Sequence, residues 1–375
     1  MTAPESSDLW DNPLGTDGFE FVEYAAPDPA ALGRLFERMG FSPVAKHRSK
    51  NVLLYRQGDV HFIVNAEPNS FAQSFARVHG PSICAIAFRV RDAAYAYRKC
   101  VENGAWGVEG HPGPMELNIP AIKGIGDSLL YLVDRYPGSS AGSSVSIYDI
   151  DFVPLPGAER QPKGAGLTRI DHLTHNVHRG RMDEWASFYE RLFNFREIRY
   201  FDIEGKLTGL KSKAMTSACG KIRIPINESA DDKSQVQEYL IDYRGEGIQH
   251  VALATDDIYF TVETLRGRDV AFQDTPDTYY EALPARMPGH REDAERLARD
   301  RILIDGAPAR DEILLQIFTR PVIGPIFFEI IQRKGAQGFG EGNFRALFES
   351  IELDQIRRGV LEGLAKADSS AVEKR

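Results

Sequence analysis

The two halves of the sequence contain the same order of predicted elements, and this duplication restricts the fold more than any other feature. The first half opens with an alternating strand, FEFVEYA, then an amphipathic helix with Leu32, Leu35, Phe36 and Met39 on one face, then a second strand. The second half opens with IDHLTHNV and an amphipathic helix, MDEWASFYERLF, in the same order. Self-similarity of this kind indicates two copies of one folding unit.

Later segments of the two halves also correspond. The strand and helix in ICAIAFRVRDAAYAYRKC match those in IQHVALATDDIYFTVETL, with an acidic residue before each helix, and SLLYLVDR matches IFFEIIQR. Each half is therefore predicted to hold two βα-type modules with extra strands between them, which places the chain in the α+β class.

The segment 136–167 separates the two halves. It is rich in Gly, Ser and Pro and has no sustained period. We predict an N-terminal domain at 1–150, a linker at 151–166 and a C-terminal domain at 167–375. A chain of 375 residues is long enough for two domains with separate cores.

Composition excludes several classes of partner. The formal net charge of −9 argues against nucleic acid, because affinity for phosphates comes from clustered cations. The sequence has no apolar leader behind a basic start and no run of about 18 apolar residues, which argues against a membrane. The three cysteines, Cys84, Cys100 and Cys219, form no CxxC pair, and this usage fits the cytoplasm.

The matched strands differ at three positions that carry metal-ligating side chains in the second half only. The pairs are His172 opposite Phe21, His250 opposite Ala85, and Glu329 opposite Tyr131. Two imidazoles and one carboxylate that leave other coordination positions open form the facial triad of non-haem Fe(II) oxygenases. The repeat therefore predicts a metal site in the second half and none at the equivalent point of the first.

Two other histidines in IDHLTHNVH are predicted not to bind metal. Side chains alternate along a strand, so His175 points away from the face that carries His172, and His178 lies beyond the strand end. The motifs HExxH, GxGxxG and the P-loop are absent from the sequence, so none of them competes with the triad.

At these residues the sequence resembles the 4-hydroxyphenylpyruvate dioxygenases, a family of the vicinal oxygen chelate superfamily. The resemblance is carried by IDHLTHNV, RIPINES, KSQVQEYLIDYRGEGIQHVAL, LLQIFTRPV and FFEIIQRKGAQGFGEGNF, and it covers nearly all of 165–365. The first half resembles the family's degenerate N-terminal domain more loosely. The resemblance implies two tandem domains of duplicated βαβββ modules that form open, barrel-like sheets.

The resemblance also implies a reaction and a cofactor. Fe(II) held by His172, His250 and Glu329 is expected to convert 4-hydroxyphenylpyruvate and O2 to homogentisate and CO2, a step of tyrosine breakdown. The implied polar residues of the site are Ser212, Asn227, Gln235, Gln249 and Gln316. The implied substrate contacts are Pro225, Phe318, Phe339, Asn343 and Phe344, with Phe318 and Phe344 flanking the ring.

The segment NFRALFESIELDQIRRGVLEGLAKA predicts a C-terminal helix with one apolar face. This helix either closes the core of the second half or forms a lid over the iron with the glycines of GFGEGN as hinge, and the two roles are compatible. The first half, which has kept its fold without a site, suggests a subunit contact in a homo-oligomer, a dimer or tetramer.

Three alternative functions stay open. The nearest is 4-hydroxymandelate synthase, which shares substrate and iron but hydroxylates the benzylic carbon; Phe344 and Pro225 favour ring hydroxylation instead. The second is a non-catalytic ligand-binding protein on the same fold, because fold does not determine function. The third is a lyase or isomerase that uses zinc or nickel, which would normally need a fourth protein ligand.

Overall fold

The structure is a computed structural model that describes residues 8–110, 112–139, 145–204, 209–230, 234–343 and 346. The chain separates into two units. The first consists of Met1–Phe272 and Phe318–Ile331, and the second of Gln273–Ile317 and Gln332–Arg375. Among the described residues, no helix is both long and apolar enough to span a bilayer.

The first half of the chain forms one sheet with helices between its strands. Its elements are β1 (Phe19–Ala25), α1 (Pro29–Arg38), β2 (Ser42–His47), β3 (Val52–Gln57), β4 (Val60–Asn65), α2 (Phe71–His79), β5 (Ser82–Arg89), α3 (Ala93–Glu102), β6 (Gly107–Val108), β7 (Ala121–Lys123), β8 (Leu129–Val133), α4 (Ile147–Asp151) and β9 (Phe152–Pro154). The strand order is β6-β7-β8-β5-β1-β4-β3-β2-β9.

The second half begins with the same succession of elements. They are β10 (Leu167–Val177), α5 (Met182–Phe193), β11 (Arg196–Glu204), β12 (Gly209–Thr216), β13 (Arg223–Ser229), α6 (Gln235–Tyr243), β14 (Gly247–Thr255) and α7 (Ile258–Arg266). Further along lie α8 (Asp277–Glu281), α9 (Leu283–Arg286), α10 (Ala294–Asp300), β15 (Leu303–Ala307), β16 (Glu312–Phe318) and β17 (Phe327–Lys334). In the first unit the order of this second sheet is β11-β12-β13-β10-β14-β17.

The central strands of the two sheets confirm the predicted duplication. In the first sheet β1 pairs parallel with β4 and antiparallel with β5, which pairs parallel with β8. In the second sheet β10, β13, β14 and β17 make the same three pairings. The α+β class is also confirmed.

The repeated helices begin in the same way. The Asp92 carboxylate accepts a hydrogen bond from the Tyr95 backbone N–H at the start of α3, and Asp257 does the same for Phe260 at the start of α7. Such caps satisfy N–H groups that have no partner within the helix. The acidic residue seen before each helix in the sequence is therefore the cap.

The core of the first unit joins the two sheets. Phe62 of β4 and Phe328 of β17 are fully buried, and their ring centroids lie 5.8 Å apart in a stacked arrangement. The side chain of Gln57 is also fully buried; it accepts hydrogen bonds from the backbone N–H groups of Ala165 and Leu167. These contacts hold the start of β10 against the first sheet.

The segment predicted as a linker, 151–166, starts inside the first sheet. Within it, Phe152–Pro154 forms β9, which pairs antiparallel with β2. The domain boundaries themselves stay a prediction.

In the second unit β15 pairs antiparallel with β16, with Leu303 opposite Gln316. The Tyr279 hydroxyl donates to Asn343 Oδ1 at 2.6 Å and accepts from the Ile304 backbone N–H at 3.0 Å. The predicted C-terminal helix, apart from its first residues, lies outside the described residues.

Candidate metal centre

Three neighbouring strands bring His172, His250 and Glu329 together. His172 of β10 is opposite Ala252 of β14, and Ala252 is opposite Glu329 of β17. His250 lies two residues before Ala252, on the same face of β14. The small side chain of Ala252 leaves room for the imidazole and the carboxylate that extend over it from either side.

The three side chains are buried and their ligand atoms converge. His172 Nε2 lies 3.1 Å from Glu329 Oε2, and His250 Nε2 lies 3.4 Å from the same oxygen. One ligand atom from each residue lies within 4.8 Å of the others. Ligands at right angles around a metal ion, with bonds of roughly 2.1 Å, are about 3 Å apart, so these separations fit adjacent coordination positions.

A β-bulge precedes each of the two histidines. The register of β10 against β14 shifts between Ile170 and His172, so Asp171 is an extra residue, and it shifts again where Gln249 is extra. A bulge redirects side chains and is common beside active sites. Here it places an acceptor beside each imidazole: Asp171 Oδ1 lies 2.8 Å from His172 Nδ1, and Gln249 Oε1 lies 3.1 Å from His250 Nδ1.

This arrangement determines which nitrogen of each imidazole is available to a metal. Because the Nδ1 proton is donated to the neighbouring acceptor, Nε2 is the nitrogen that would give up its proton and offer its lone pair to a metal ion beside Glu329. Arg223 Nη1 lies 3.4 Å from Asp171 Oδ2 and extends the network on the His172 side.

Burial and the mutual contacts set the charges of the group. Burial acts to raise the pKa of Glu329, but the charge of His172 and hydrogen bonds from both imidazoles hold it at about 2. Burial lowers the pKa of His250, and Glu329 offsets that effect only in part. Burial also disfavours charged His172, yet Glu329 and Asp171 raise its pKa above the ordinary value. A carboxylate and two imidazoles with this partnership are a suitable donor set for a divalent metal.

One further observation supports a metal ion at this point. Glu329 Oε1 is buried and has no hydrogen-bond partner among the residues that the structure describes. A buried carboxylate oxygen without a partner is costly, and a bound cation would remove the cost. The donor set and the unsatisfied oxygen both fit a metal ion held by these three residues.

Aromatic rings enclose the group on the side of His250. The Phe327 ring stacks on the His250 imidazole with centroids 4.9 Å apart, and Phe318 makes an edge contact with both rings, at 6.3 Å from His250 and 6.0 Å from Phe327. Phe318, a predicted substrate contact, therefore lies beside the predicted ligand.

The first sheet repeats this framework without the ligands. Its register places Phe21 opposite Ala87, and Ala87 opposite Tyr131. Phe21 and Tyr131 therefore correspond to His172 and Glu329, as the sequence alignment predicts. The register shifts also recur, at Glu20 and at Cys84.

A row of polar side chains extends from the metal group across the second sheet. Asn176 shares a strand face with His172 and Thr174; it is opposite Asn227 of β13, which is opposite Ser212 of β12. Ser212 is buried, as is Pro225 on the same face of β13 as Asn227. The structure thus brings Ser212, Asn227 and Pro225 onto the face that carries His172.

The other predicted site residues differ in their positions. Gln235 is the exposed first residue of α6, and the structure gives it no contact with the metal group. Gln316, Phe339 and Asn343 belong to the second unit. There Gln316 is buried, and no described residue pairs with its Oε1. Arg333 lies over the Phe339 ring at 5.5 Å. Phe344 lies outside the described residues.

Gly340 in the second unit packs directly on Gln316. A Cβ added at Gly340 would come within 2.3 Å of Gln316 Oε1, and the residue has a φ of +82°. Only glycine meets both requirements at low cost.

The other two histidines of IDHLTHNVH, His175 of β10 and His178 just beyond its end, lie away from the metal group. His175 is fully buried, and its Nε2 lies 2.7 Å from the Tyr189 hydroxyl on α5. Burial lowers its pKa to about 3, so it is a neutral core residue. His178 is exposed, and its backbone N–H donates to Glu246.

Three residues of the site were missed by reasoning from the sequence. Asp171 orients His172, and Thr174 Oγ1 lies 2.9 Å from His250 Nε2. Both side-chain amide atoms of Asn176 are buried and have no partner in the ranges that the structure describes. A signal for the first was present: DH and QH each place a hydrogen-bond acceptor immediately before a ligand histidine.

Comparison with known proteins gives matches to both halves. A model described as hydroxyphenylpyruvate dioxygenase, N-terminal, matches residues 10–153, and one for the glyoxalase/bleomycin resistance protein/dioxygenase superfamily matches 169–284. A 4-hydroxyphenylpyruvate dioxygenase of Pseudomonas aeruginosa is 61% identical over 93% of this chain and 97% of its own length. The chain belongs to the 4-hydroxyphenylpyruvate dioxygenase family.

Other relatives of this family member carry different names. Hemolysin VllY of Vibrio vulnificus is 65% identical over 93% of this chain and 98% of its own. A solved structure of a triple mutant of 4-hydroxymandelate synthase from Streptomyces coelicolor is 26% identical, with a TM-score of 0.77, over 91% of this chain and all of that one (100%). The comparisons confirm the predicted family and the vicinal oxygen chelate fold.

Proposed function

We propose that the protein is an Fe(II)-dependent dioxygenase that converts 4-hydroxyphenylpyruvate and O2 to homogentisate and CO2 in tyrosine catabolism. The observation that carries the proposal is the buried group of His172, His250 and Glu329 on three adjacent strands, within a chain of the 4-hydroxyphenylpyruvate dioxygenase family. The oxidative decarboxylation, ring hydroxylation and side-chain migration belong to this proposal.

His172, His250 and Glu329 would hold the iron. When bound, Fe(II) with open coordination positions supplies a place for the keto acid and O2 to bind side by side and exchange electrons. The choice of iron over zinc is supported by the proposed reaction, because a dioxygenase needs a metal that exchanges electrons and zinc has no redox chemistry.

The protein's own groups prepare this site in two ways. Asp171 and Gln249 hold the Nδ1 protons of the two histidines, which keeps both Nε2 atoms directed at the ligand position. Phe318 and Phe327 provide apolar cover beside His250, so water is kept from the reacting groups.

We assign polar contacts with the substrate to Ser212, Asn227 and Gln249, and we add Asn176. The assignment of Asn176 is supported by its buried amide, which has no partner in the described part of the chain, since an unsatisfied buried amide costs about 1–3 kcal/mol. Pro225 and Phe318 are assigned to the walls of the pocket. The roles of Gln235, Gln316, Phe339, Asn343 and Phe344 remain predictions from the sequence.

A second candidate is 4-hydroxymandelate synthase, favoured by the similarity to the solved Streptomyces structure. The two reactions start from one substrate and differ in which carbon is hydroxylated. The dioxygenase is preferred because relatives of that name are far more similar to this chain.

Oxygen uptake with product identification tests both candidates. The full chain, stripped of metal by a chelator, is supplied with 4-hydroxyphenylpyruvate and either Fe(II) or Zn(II). We expect O2 consumption with Fe(II) alone and homogentisate as product. Hydroxymandelate as product would select the second candidate, and iron-loaded protein that consumes no O2 would contradict both and favour a non-catalytic binding protein. His172→Ala should abolish the uptake, whereas the matched variant His178→Ala, at an exposed position, should retain it.

We also propose that the protein is cytoplasmic and forms a homo-oligomer, a dimer or a tetramer. The cysteine usage supports the first statement, and the retention of a fold without a metal site in the first half supports the second. Light scattering that gives the mass of a monomer would contradict the oligomer.

A further inference from the structure

The first sheet lines a half-open cavity of about 210 Å³ at the position that corresponds to the metal centre. Phe21 and Tyr131, the counterparts of His172 and Glu329, lie in its wall. The first half therefore has a cavity lined by rings at the point where the second half carries the metal ligands.

Aromatic side chains form much of the wall. The Phe21 and Tyr131 rings have centroids 5.7 Å apart and are tilted by 48°. Phe152 of β9 lines the cavity as well, in edge contact with His47 at 5.3 Å. Aromatic faces carry partial negative charge and attract cations, most strongly where water is excluded.

Acidic groups outnumber basic ones around the same space. The carboxylates of Glu23, Glu116 and Asp151 line it with one ammonium, that of Lys50, which pairs with Glu116 at 2.7 Å. Burial and the neighbouring Lys50 lower the pKa of His47, so the imidazole does not offset the excess negative charge of the carboxylates.

Two carboxylates of the cavity, those of Glu23 and Asp151, are not paired with Lys50 and are held in place by hydrogen bonds. Glu23 is buried, and its Oε1 accepts a hydrogen bond from Asn65 Nδ2 at 2.7 Å. Asp151 is also buried, and its Oδ1 accepts from the Leu117 backbone N–H at 3.0 Å. An anionic ligand would meet both of them, so the lining selects against anions.

A metal ion does not fit this set of acids. Within the described ranges, the group that brings three ligand atoms within 4.8 Å of one another is that of His172, His250 and Glu329, and no such group forms in the first sheet. No three of the acidic and imidazole groups described here come close enough together to hold one small ion. A larger cation with several carbon atoms can reach them while its body contacts the rings.

We propose that this cavity binds a small organic cation, an alkylated ammonium compound, between the rings of Phe21, Tyr131 and Phe152 and the carboxylates of Glu23 and Asp151. Rings combined with carboxylates are the chemistry that recognises quaternary ammonium groups. The volume suits the ligand, since an engineered cavity of about 150 Å³ in another protein binds benzene. Burial raises the pKa of Glu23, and a cation beside it stabilises the ionised form.

Titration calorimetry on the full, iron-loaded chain tests the proposal with two ligands that have the same shape and differ in charge. Choline carries the quaternary ammonium, and 3,3-dimethylbutan-1-ol is its neutral counterpart. We expect choline to bind at one site per chain and the neutral alcohol to bind at least tenfold more weakly. Equal affinity for the two probes, or no binding of choline at 10 mM (roughly the upper limit for a specific weak site), would overturn the proposal.

Two variants locate the binding in this cavity. Glu23→Gln keeps the hydrogen bond from Asn65 but removes the charge, and Ile119→Trp fills the space from its rim. Each should weaken choline binding at least tenfold, while Ile198→Trp, at an exposed position of β11, should not. If Ile119→Trp, with an unchanged unfolding temperature, binds choline like the parent, the site lies elsewhere and the proposal is wrong.

This result is independent of the proposed dioxygenase activity. Neither variant touches the metal centre, so oxygen uptake with 4-hydroxyphenylpyruvate should stay within about twofold of the parent value. Loss of choline binding with retained uptake supports the cavity, and failure of the parent to bind choline leaves the dioxygenase proposal intact.

Discussion

The Nδ1 atom of His172 lies 2.8 Å from Oδ1 of Asp171, the residue immediately before it in the chain. Consecutive residues of a regular strand point to opposite faces, so this contact depends on the bulge at Asp171. The same relation holds between Gln249 and His250. The bulges are therefore part of the metal centre, because they supply each histidine with its orienting acceptor.

Asp171→Asn should weaken metal binding. The amide oxygen can still accept from Nδ1 but carries no charge, and loss of an orienting carboxylate typically costs 10–100-fold in metal affinity. Titration with Fe(II) or Co(II) measures the change. The control is Asp183→Asn, at a carboxylate 80% exposed in its ion pair with Lys213. Affinities of parent and Asp171→Asn that agree within twofold would refute the orienting role.

Glu329→Gln should remove the iron and abolish activity. The substitution keeps the volume of the side chain but replaces the anionic ligand with a neutral amide, which binds Fe(II) poorly. Metal analysis after purification should give less than about a tenth of the parent's iron. His175→Gln, which changes a buried histidine on the opposite strand face, should retain nearly all of it. An iron-free His175→Gln protein would mean that the wrong histidine of β10 was chosen.

Phe344→Ile should shift the product from homogentisate towards hydroxymandelate. A smaller side chain beside the ring would allow the benzylic carbon to reach the oxidant, if Phe344 flanks the ring as the family resemblance implies. Chromatography of the products gives the ratio directly. Phe260→Ile changes a phenylalanine that is 52% exposed on α7 and should leave the ratio unchanged. A Phe344→Ile enzyme that makes only homogentisate would remove Phe344 from the specificity determinants.

Glu20→Gln should destabilise the protein at neutral pH and much less in acid. Burial acts to raise the pKa of Glu20, but His61 and Arg89 lower it from 4.5 to about 2. Because the native pKa lies below the unfolded value, the ionised carboxylate stabilises the fold above about pH 4.5 and loses this effect as the pH falls towards 2. The contribution is on the order of 3 kcal/mol.

Urea unfolding of parent and variant at pH 6 and at pH 3 measures this contribution. The difference in unfolding free energy between the two proteins should be smaller at pH 3. Glu102→Gln, at an exposed residue of α3, serves as the control and should show little difference at either pH. A Glu20→Gln penalty that is equal at both pH values would contradict the coupling to His61 and Arg89.

The repeated order of elements was readable from the sequence because strands and helices have different hydrophobic periods. The aligned strands also singled out His172, His250 and Glu329, and the strand registers place their counterparts where the alignment did. Alternation along β10 predicted that His175 lies on the opposite face from His172. In the structure His175 Nε2 lies next to the Tyr189 hydroxyl.

Some features could not be read in this way. The segment predicted to be a linker contributes β9 to the first sheet. Near the C-terminal end of that segment, the Ala165 backbone N–H donates a hydrogen bond to the Gln57 side chain. Such contacts join residues more than a hundred positions apart, and no local period reports them. The exposed position of Gln235 was equally invisible, because the pattern of α6 does not show what the helix packs against.

The sequence by itself determined the duplication, the α+β class and the identity of three ligand-type residues, because each of these is written in local periodicity and in the comparison of one half with the other. Only the tertiary structure decided how the ligands are oriented. A bulge is a shift of one residue between two strands, and β10 and β14 are separated by many residues of chain, so their register depends on packing across the whole sheet. That register places Asp171 on His172, Gln249 on His250, and the unpartnered amide of Asn176 on the same face.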